Sequence, residues 1–157
     1  MLEIEEGLLR ETQARQGDDG SHGLGAETAG LFAEIRPRIE LAAGEQLFLQ
    51  GNRSDHLIFL VAGRLRATVT DRNQANRVVS RFLPGAIVGE IAYYAGVDRT
   101  ATLTAETDST ALRIDTSALV LMEREDAQAA AQFHRTLASV LAQRLLTTTR
   151  LLSDAEL

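Results

Sequence analysis

The chain has 157 residues, of which 45% are apolar and 24% charged, and 22 acidic against 16 basic side chains give a net charge of −6. This composition supports one globular domain with a core of ordinary size and excludes global disorder. Every basic residue except histidine is an arginine, which excludes Schiff-base and P-loop lysine chemistry, and an acidic chain without basic clusters is a poor candidate for binding nucleic acid.

Other residue types exclude further function classes. Because the chain contains no cysteine, disulfides, thiolate metal sites and cysteine nucleophiles are excluded, and a cytoplasmic location is expected. No apolar run approaches the roughly 18 to 20 residues of a membrane helix. The three histidines, His22, His56 and His134, lack metal-ligand spacing, and no nucleophile elbow is present. The sequence therefore predicts neither a metal site nor an enzyme.

The N-terminal part of the chain carries most of the charge. Residues 1–36 account for −5 of the total and residues 37–157 for only −1. Glycine and aspartate are frequent in residues 16–25, as in flexible linkers. We therefore predict an acidic segment over 1–25, followed by one domain over 26–157. Apolar spacing predicts a short helix over 27–35, which Pro37 ends.

The middle of the chain has the pattern of a sheet-rich unit. Between residues 38 and 114, short apolar or alternating runs are separated by glycine, proline, aspartate or asparagine. Strands are predicted at 39–41, 46–49, 57–61, 65–70, 77–83, 86–88, 101–105 and 110–114. Their spacing favours hairpin or jelly-roll connections, so we expect a mainly β fold, an antiparallel β-roll with flanking helices.

The C-terminal part is predicted to be helical over about 115–152. Asp115 and Thr116 are suitable N-caps, and a longer helix is expected from about 126 to 152. One stripe at three- and four-residue steps runs along that helix, and its members are Ala130, Phe133, His134, Leu137, Val140, Leu141, Leu145, Thr148, Leu151 and Leu152. The stripe predicts a docking face, either against the β domain or against a second copy in a homodimer.

The stretch from residue 83 to residue 102 points to a ligand. Gly89 permits positive φ or close backbone approach, and residues 90–94 can form one helical turn with free N–H groups at its start. Residues 96–98 then return the chain, so that Arg99 can offer a planar fork suited to phosphate oxygens. A carboxylate at Glu90 makes sense beside such a site if it accepts hydrogen bonds from ribose hydroxyls. The pattern predicts a nucleotide site.

These residues resemble a known family. Gly89-Glu90-Ile91-Ala92, followed by Arg99-Thr100-Ala101-Thr102, resembles the phosphate-binding cassette of cyclic nucleotide-binding domains. Upstream matches to the early strands and turns of that family are Gly44-Glu45, Leu49-Gln50-Gly51, Asp55, residues 57–60 and Gly63. The pattern departs from the family at Asn52, Ser54 and Tyr93-Tyr94, and the two tyrosines are expected to pack rather than to stack on a base.

The resemblance implies a role for each cassette residue. Glu90 would bind the ribose 2′-hydroxyl and Arg99 the cyclic phosphate. The backbone N–H groups of Ile91, Ala92, Thr100 and Ala101 would surround the phosphate, and Thr100 would add its hydroxyl. The implied ligand is cAMP or cGMP, and one sequence does not identify the residue that caps the base.

A finer resemblance concerns the parent protein. The stretch from Leu83-Pro84-Gly85 through Glu90, residues 122–126, His134 and residues 141–145 are similar to the cyclic nucleotide-binding domain fused C-terminally to some bacterial SulP-type anion transporters. This implies a regulatory domain at the cytoplasmic face of a membrane. The alternatives are a non-binding scaffold or dimerisation domain of the same fold, or the sensor of a CRP-like transcription regulator without its DNA-binding domain.

Overall fold

The computed structural model describes residues 38–155, which form eight strands and three helices. The strands are β1 (Arg38–Leu41), β2 (Gln46–Phe48), β3 (His56–Ala62), β4 (Leu65–Thr70), β5 (Asn76–Phe82), β6 (Ile87–Val88), β7 (Thr102–Ala105) and β8 (Ser109–Asp115). The helices are α1 (Glu90–Ala95), α2 (Thr116–Glu125) and α3 (Ala127–Ala155). The expected helix over 27–35 and the boundary near residue 25 lie outside the described residues.

The strands form two four-stranded antiparallel sheets, in the orders β1-β8-β3-β6 and β2-β7-β4-β5. The predicted mainly β, jelly-roll-like fold with C-terminal helices is thereby confirmed. Strand β3 is central and buried on both faces, because Ile58 and Leu60 face the space between the sheets while Leu57 and Phe59 face the helices. This double burial explains its continuous apolar run.

The helices cover the outer face of the first sheet. Leu119 of α2 and Phe133 and Leu137 of α3 are fully buried in one cluster with the β3 side chains. Asp126 ends α2 and caps α3, since its Oδ1 accepts a hydrogen bond from the Ala129 N–H at 3.0 Å. The cassette sequence therefore lies between the sheets on one side and α3 on the other.

The apolar stripe of α3 divides into two halves. Ala130, Phe133, Leu137 and Val140 are buried, so the predicted docking against the β domain holds for this half. Beyond residue 144 the stripe is open, and Leu145, Leu151 and Leu152 are 67%, 66% and 65% exposed. Within residues 38–155, no helix has the length and apolarity that crossing a bilayer requires.

Candidate functional site

The seven residues predicted for the site, Gly89, Glu90, Ile91, Ala92, Arg99, Thr100 and Ala101, all line one cavity. The space within it is about 590 Å³, including the part open to solvent. Its remaining lining comes from the second sheet, β6 and α3, and includes Phe48, Ala67, Val79, Ser80, Phe82, Val88, Leu103 and Arg144.

Gly89 is required by the local geometry. Its φ is +98° at the N-cap of α1, a conformation that side chains with a Cβ rarely adopt. A Cβ atom here would lie 2.6 Å from Nη1 of Arg99 and 3.3 Å from the carbonyl oxygen of His56. The glycine therefore lets the start of α1 approach the guanidinium of Arg99 closely.

Helix α1 presents its start to the cavity. Its first backbone bond runs from the Tyr93 N–H to the Gly89 carbonyl at 3.3 Å. The amides of Ile91 and Ala92, which precede that bond, have no acceptor within the helix. Glu90 also lines the cavity although only 2% of its surface is exposed.

The backbone of Arg99 is fixed by the loop after β2. Its N–H donates to the Asn52 carbonyl and its own carbonyl accepts from the Gly51 N–H, both at 2.8 Å. The Asn52 side chain closes the same turn, because its Oδ1 accepts from the Leu49 N–H at 3.2 Å. Asn52, a departure from the family pattern, thus supports the position of Arg99.

The guanidinium of Arg99 is buried and incompletely paired. Arg99 is 3% exposed, its Nη2 donates to the His56 carbonyl at 2.6 Å, and its Cζ lies 3.9 Å from the centroid of the Phe48 ring. Nε and Nη1 have no hydrogen-bond partner within the described part of the chain. Burial lowers the pKa of Arg99, against the opposing charge of Asp55. A buried cation with free donors suits an anionic ligand.

A residue that the sequence did not identify also reaches the cavity. Arg144 of α3 pairs through Nη1 with Oε1 of Glu90 and donates from Nη2 to the Ile87 carbonyl at 2.9 Å. Its Cζ lies 5.2 Å from the centroid of the Phe82 ring. Arg144 follows the buried Leu137 and Val140 by seven and four residues, so helical spacing was the signal that could have found it.

The match to a family model decides which family this geometry belongs to. The model of the cyclic nucleotide-binding domain matches residues 38–125, the range that contains both sheets, α1 and α2. The chain belongs to the cyclic nucleotide-binding domain family. No functionally curated protein matches it significantly.

Solved structures with the same fold include other members and regulators. A cyclic nucleotide-binding domain from Methylobacillus flagellatus has a TM-score of 0.78 at 18% identity, covering 97% of this chain and 84% of that one. The Thermus thermophilus catabolite activator protein has a TM-score of 0.70 at 24% identity, covering 88% of this chain and 63% of that one. The c-di-GMP responsive regulator CLP of Xanthomonas campestris has a TM-score of 0.74 at 22% identity, covering 82% and 63%.

In this cyclic nucleotide-binding domain, the two cassette tyrosines point away from the cavity lining. Tyr93 packs against the cluster beneath α2 and α3, and Tyr94 is bonded through its hydroxyl to Nδ1 of His134 at 2.7 Å. The structure thus places both in helix packing, as the sequence suggested. The cavity lining also includes Val79, Ser80 and Phe82 of β5, whose register with β4 shifts between Ala67 and Thr68.

Proposed function

We propose that this domain is a ligand-sensing regulatory module that binds cAMP or cGMP in the cavity between α1, the second sheet and α3. The cyclic phosphate is held by Arg99, the amides of Ile91, Ala92, Thr100 and Ala101, and the Thr100 hydroxyl. The ribose 2′-hydroxyl donates to Glu90.

The observation that carries this proposal is the buried guanidinium of Arg99. A cyclic nucleotide brings one negative charge and acceptor oxygens, which match the positive charge and the free Nε and Nη1 donors. The close approach that Gly89 allows brings the amides of α1 to the same place. A pocket without a buried and incompletely paired cation would not favour an anion in the same way.

The carboxylate of Glu90 supports the ribose assignment. Arg144 engages Oε1, and a carboxylate has about four acceptor positions, so lone pairs remain for a hydroxyl. Arg144 also offsets the charge of a carboxylate that would otherwise repel the phosphate. The pairing therefore allows Glu90 and a phosphate to occupy one cavity.

Calorimetric titration with cAMP and with cGMP tests the proposal. Charge-assisted hydrogen bonds contribute about 1.5–3 kcal/mol, so we expect Arg99→Ala to weaken binding by at least about tenfold. The matched control is Arg77→Ala, because the Arg77 side chain is 74% exposed and pairs with Asp71 on the surface. Unchanged affinity in Arg99→Ala would contradict the phosphate assignment.

The proposed module acts by shifting the arrangement of α2 and α3 rather than by chemistry. Moving such an equilibrium from 1:99 to 99:1 requires about 5.5 kcal/mol of differential affinity. For the parent protein we keep the sequence-based proposal of a SulP-type transporter with this domain on its cytoplasmic side. A CRP-like regulator is the competing context, and the codons on either side of this segment in the parent gene distinguish the two.

A second function, a scaffold that dimerises without binding nucleotide, is favoured by the open half of α3. Leu141, Leu145, Thr148 and Leu152 follow each other at steps of four, three and four, the spacing at which two helices interlock. The occupant that this seam fits is a second copy of the chain. We expect Leu145→Glu with Leu152→Glu to convert a dimer to a monomer in sedimentation equilibrium, and a wild-type monomer would contradict the seam.

Thermal denaturation separates the two functions. Ligand at about one hundred times its Kd stabilises the folded state by about 2.7 kcal/mol, which for a domain of this size raises the Tm by about 5–10 °C. A sensor shows this rise with millimolar cAMP or cGMP. A non-binding scaffold shows no rise with either nucleotide.

A further inference from the structure

A chain of polar side chains links α1 to both C-terminal helices. The Tyr94 hydroxyl lies 2.7 Å from Nδ1 of His134 on α3, and Nε2 of His134 lies 2.8 Å from Oε1 of Glu123 on α2. The Tyr94 and His134 rings also meet edge to face, with centroids 5.7 Å apart. Three helices are thereby joined through one imidazole.

The proton positions in this chain are mutually consistent. A carboxylate only accepts, so Nε2 of His134 carries the hydrogen that Glu123 accepts. In the neutral ring Nδ1 is then an acceptor, and the Tyr94 hydroxyl donates to it. Burial raises the pKa of Tyr94, which keeps that hydroxyl protonated. With the imidazole neutral, each donor in the chain therefore has an acceptor next to it.

Helix α1 is held to α3 near both of its ends, by the Glu90–Arg144 pair at its start and by the Tyr94–His134 hydrogen bond near its end. It has six residues, of which only Glu90 and Ala92 are buried. Hydrogen bonds are directional, so Tyr94 fixes how α1 sits against α3, whereas an apolar side chain would tolerate sliding. The neighbouring contacts of Tyr93 and Met122 with the core are apolar.

The same short helix carries part of the cavity wall. Glu90, Ile91 and Ala92 line the cavity, and Tyr94 follows Glu90 by about 6 Å of helix at 1.5 Å per residue. Because a helix of this length moves as a rigid body, a displacement at Glu90 is carried to Tyr94. The polar chain then passes it to α3 and α2.

We propose that the Tyr94–His134–Glu123 chain is a linkage, additional to the direct Glu90–Arg144 pair, through which occupancy of the cavity repositions α2 and α3. This inference rests on the proposed function, since it requires a ligand in the cavity. None of the three side chains lines the cavity, so they act as positioning residues. Their removal should reduce the response of the helices more than it reduces binding.

A distance measurement between two spin labels tests the linkage. The chain has no cysteine, so Asn73→Cys and Thr149→Cys, both at exposed positions after β4 and on α3, give one defined pair. In the labelled domain without further substitutions, cAMP should shift the distribution of distances between the two labels. In Tyr94→Phe we expect less than about half of that shift, with affinity by calorimetry changed less than about tenfold, the limit for one neutral hydrogen bond.

Three variants make the test specific. Tyr93→Phe removes the neighbouring hydroxyl, which is outside the chain, and should respond like the parent. Glu123→Gln keeps an acceptor for Nε2 of His134 and should also retain the shift. His134→Leu breaks the chain at its centre while matching the apolar stripe, and should lose the shift as Tyr94→Phe does.

The outcomes separate this inference from the proposed function. A full shift in both Tyr94→Phe and His134→Leu overturns the linkage. If the labelled domain without further substitutions binds cAMP or cGMP but the distance does not shift, the linkage is also overturned, while the proposed function stands. If the domain without further substitutions binds neither cAMP nor cGMP, the proposed function fails and the linkage fails with it.

Discussion

Replacing Arg99 should lower the affinity for a cyclic nucleotide without lowering the stability of the unliganded domain. In Arg99→Leu the new side chain keeps apolar contact with Phe48 but loses the guanidinium, which is buried, has free Nε and Nη1 donors and makes one bond to the His56 carbonyl. If Arg99 had a structural role, it would stabilise the unliganded protein. If its role is to bind a ligand, it need not stabilise the unliganded protein.

The magnitudes follow from these contacts. The variant loses one charge-assisted hydrogen bond, about 1.5–3 kcal/mol, and a cation–π contact of about 0.5–2 kcal/mol. The variant also no longer buries a charge, whose desolvation costs several kcal/mol. It likewise no longer buries unpaired donors, which cost about 1–3 kcal/mol. The free energy of unfolding without ligand should therefore stay within about 1 kcal/mol of the parent value or exceed it. Affinity should fall at least about tenfold, since a phosphate contact to the guanidinium is lost.

Urea denaturation without ligand and calorimetry with cAMP measure the two quantities. Arg77→Leu is the matched control, because its exposed pair with Asp71 contributes about 0–1 kcal/mol and lies outside the cavity lining. If Arg99→Leu lowered stability by more than about 3 kcal/mol and left affinity unchanged, the reasoning would be refuted. Arg99 would then be a structural residue.

Three further predictions concern the groups around Arg99. A double-mutant cycle of Glu90→Gln with Arg144→Met in urea should give a coupling of about 1–3 kcal/mol, and additivity would argue against the ion pair. Gly89→Ala should cost about 1–3 kcal/mol in the same assay, because φ is +98° and the added Cβ meets Arg99. Burial lowers the pKa of His56, so the unfolded state takes up a proton first and stability falls as pH drops through about 6.5. His56→Gln should flatten this dependence between about pH 7.5 and pH 5.5, and an unaltered slope would assign it to other groups.

The sheet was predictable because its signals are local. Each strand end lies within one residue of its prediction, since glycine and proline mark the turns and alternation marks the half-buried strands. The continuous apolar run of β3 agrees with its burial on both faces. The cassette was equally readable, because Gly89, Glu90 and Arg99 are close in sequence and only the short helix α1 and the return at residues 96–98 separate Glu90 from Arg99.

The contacts made by α3 were not predictable in the same way. Arg144 and Glu90 are separated by 54 residues, and Tyr94 and His134 by 40. Helical spacing shows which residues share a face of α3, but not which part of the β domain that face meets. The open half of the stripe illustrates this limit, since Leu145 and Leu152 continue a pattern whose first half is buried. The periodicity is the same in both halves and only the tertiary contacts differ.

The two ends of the cavity differ in how their charges are balanced, and this difference bears on signalling. At the Arg99 end, Nε and Nη1 of a buried cation have no partner within the described residues, so the proposed phosphate contact does not compete with an existing hydrogen bond of these two atoms. At the Glu90 end, the carboxylate is already paired with Arg144, so the proposed ribose contact shares Glu90 with α3. A ligand changes a conformational equilibrium only through contacts that differ between the two arrangements. In the proposed complex, the phosphate therefore supplies affinity in any position of α3. The ribose, which in that complex contacts a carboxylate that α3 also holds, is the part of the ligand whose binding energy depends on where α3 lies.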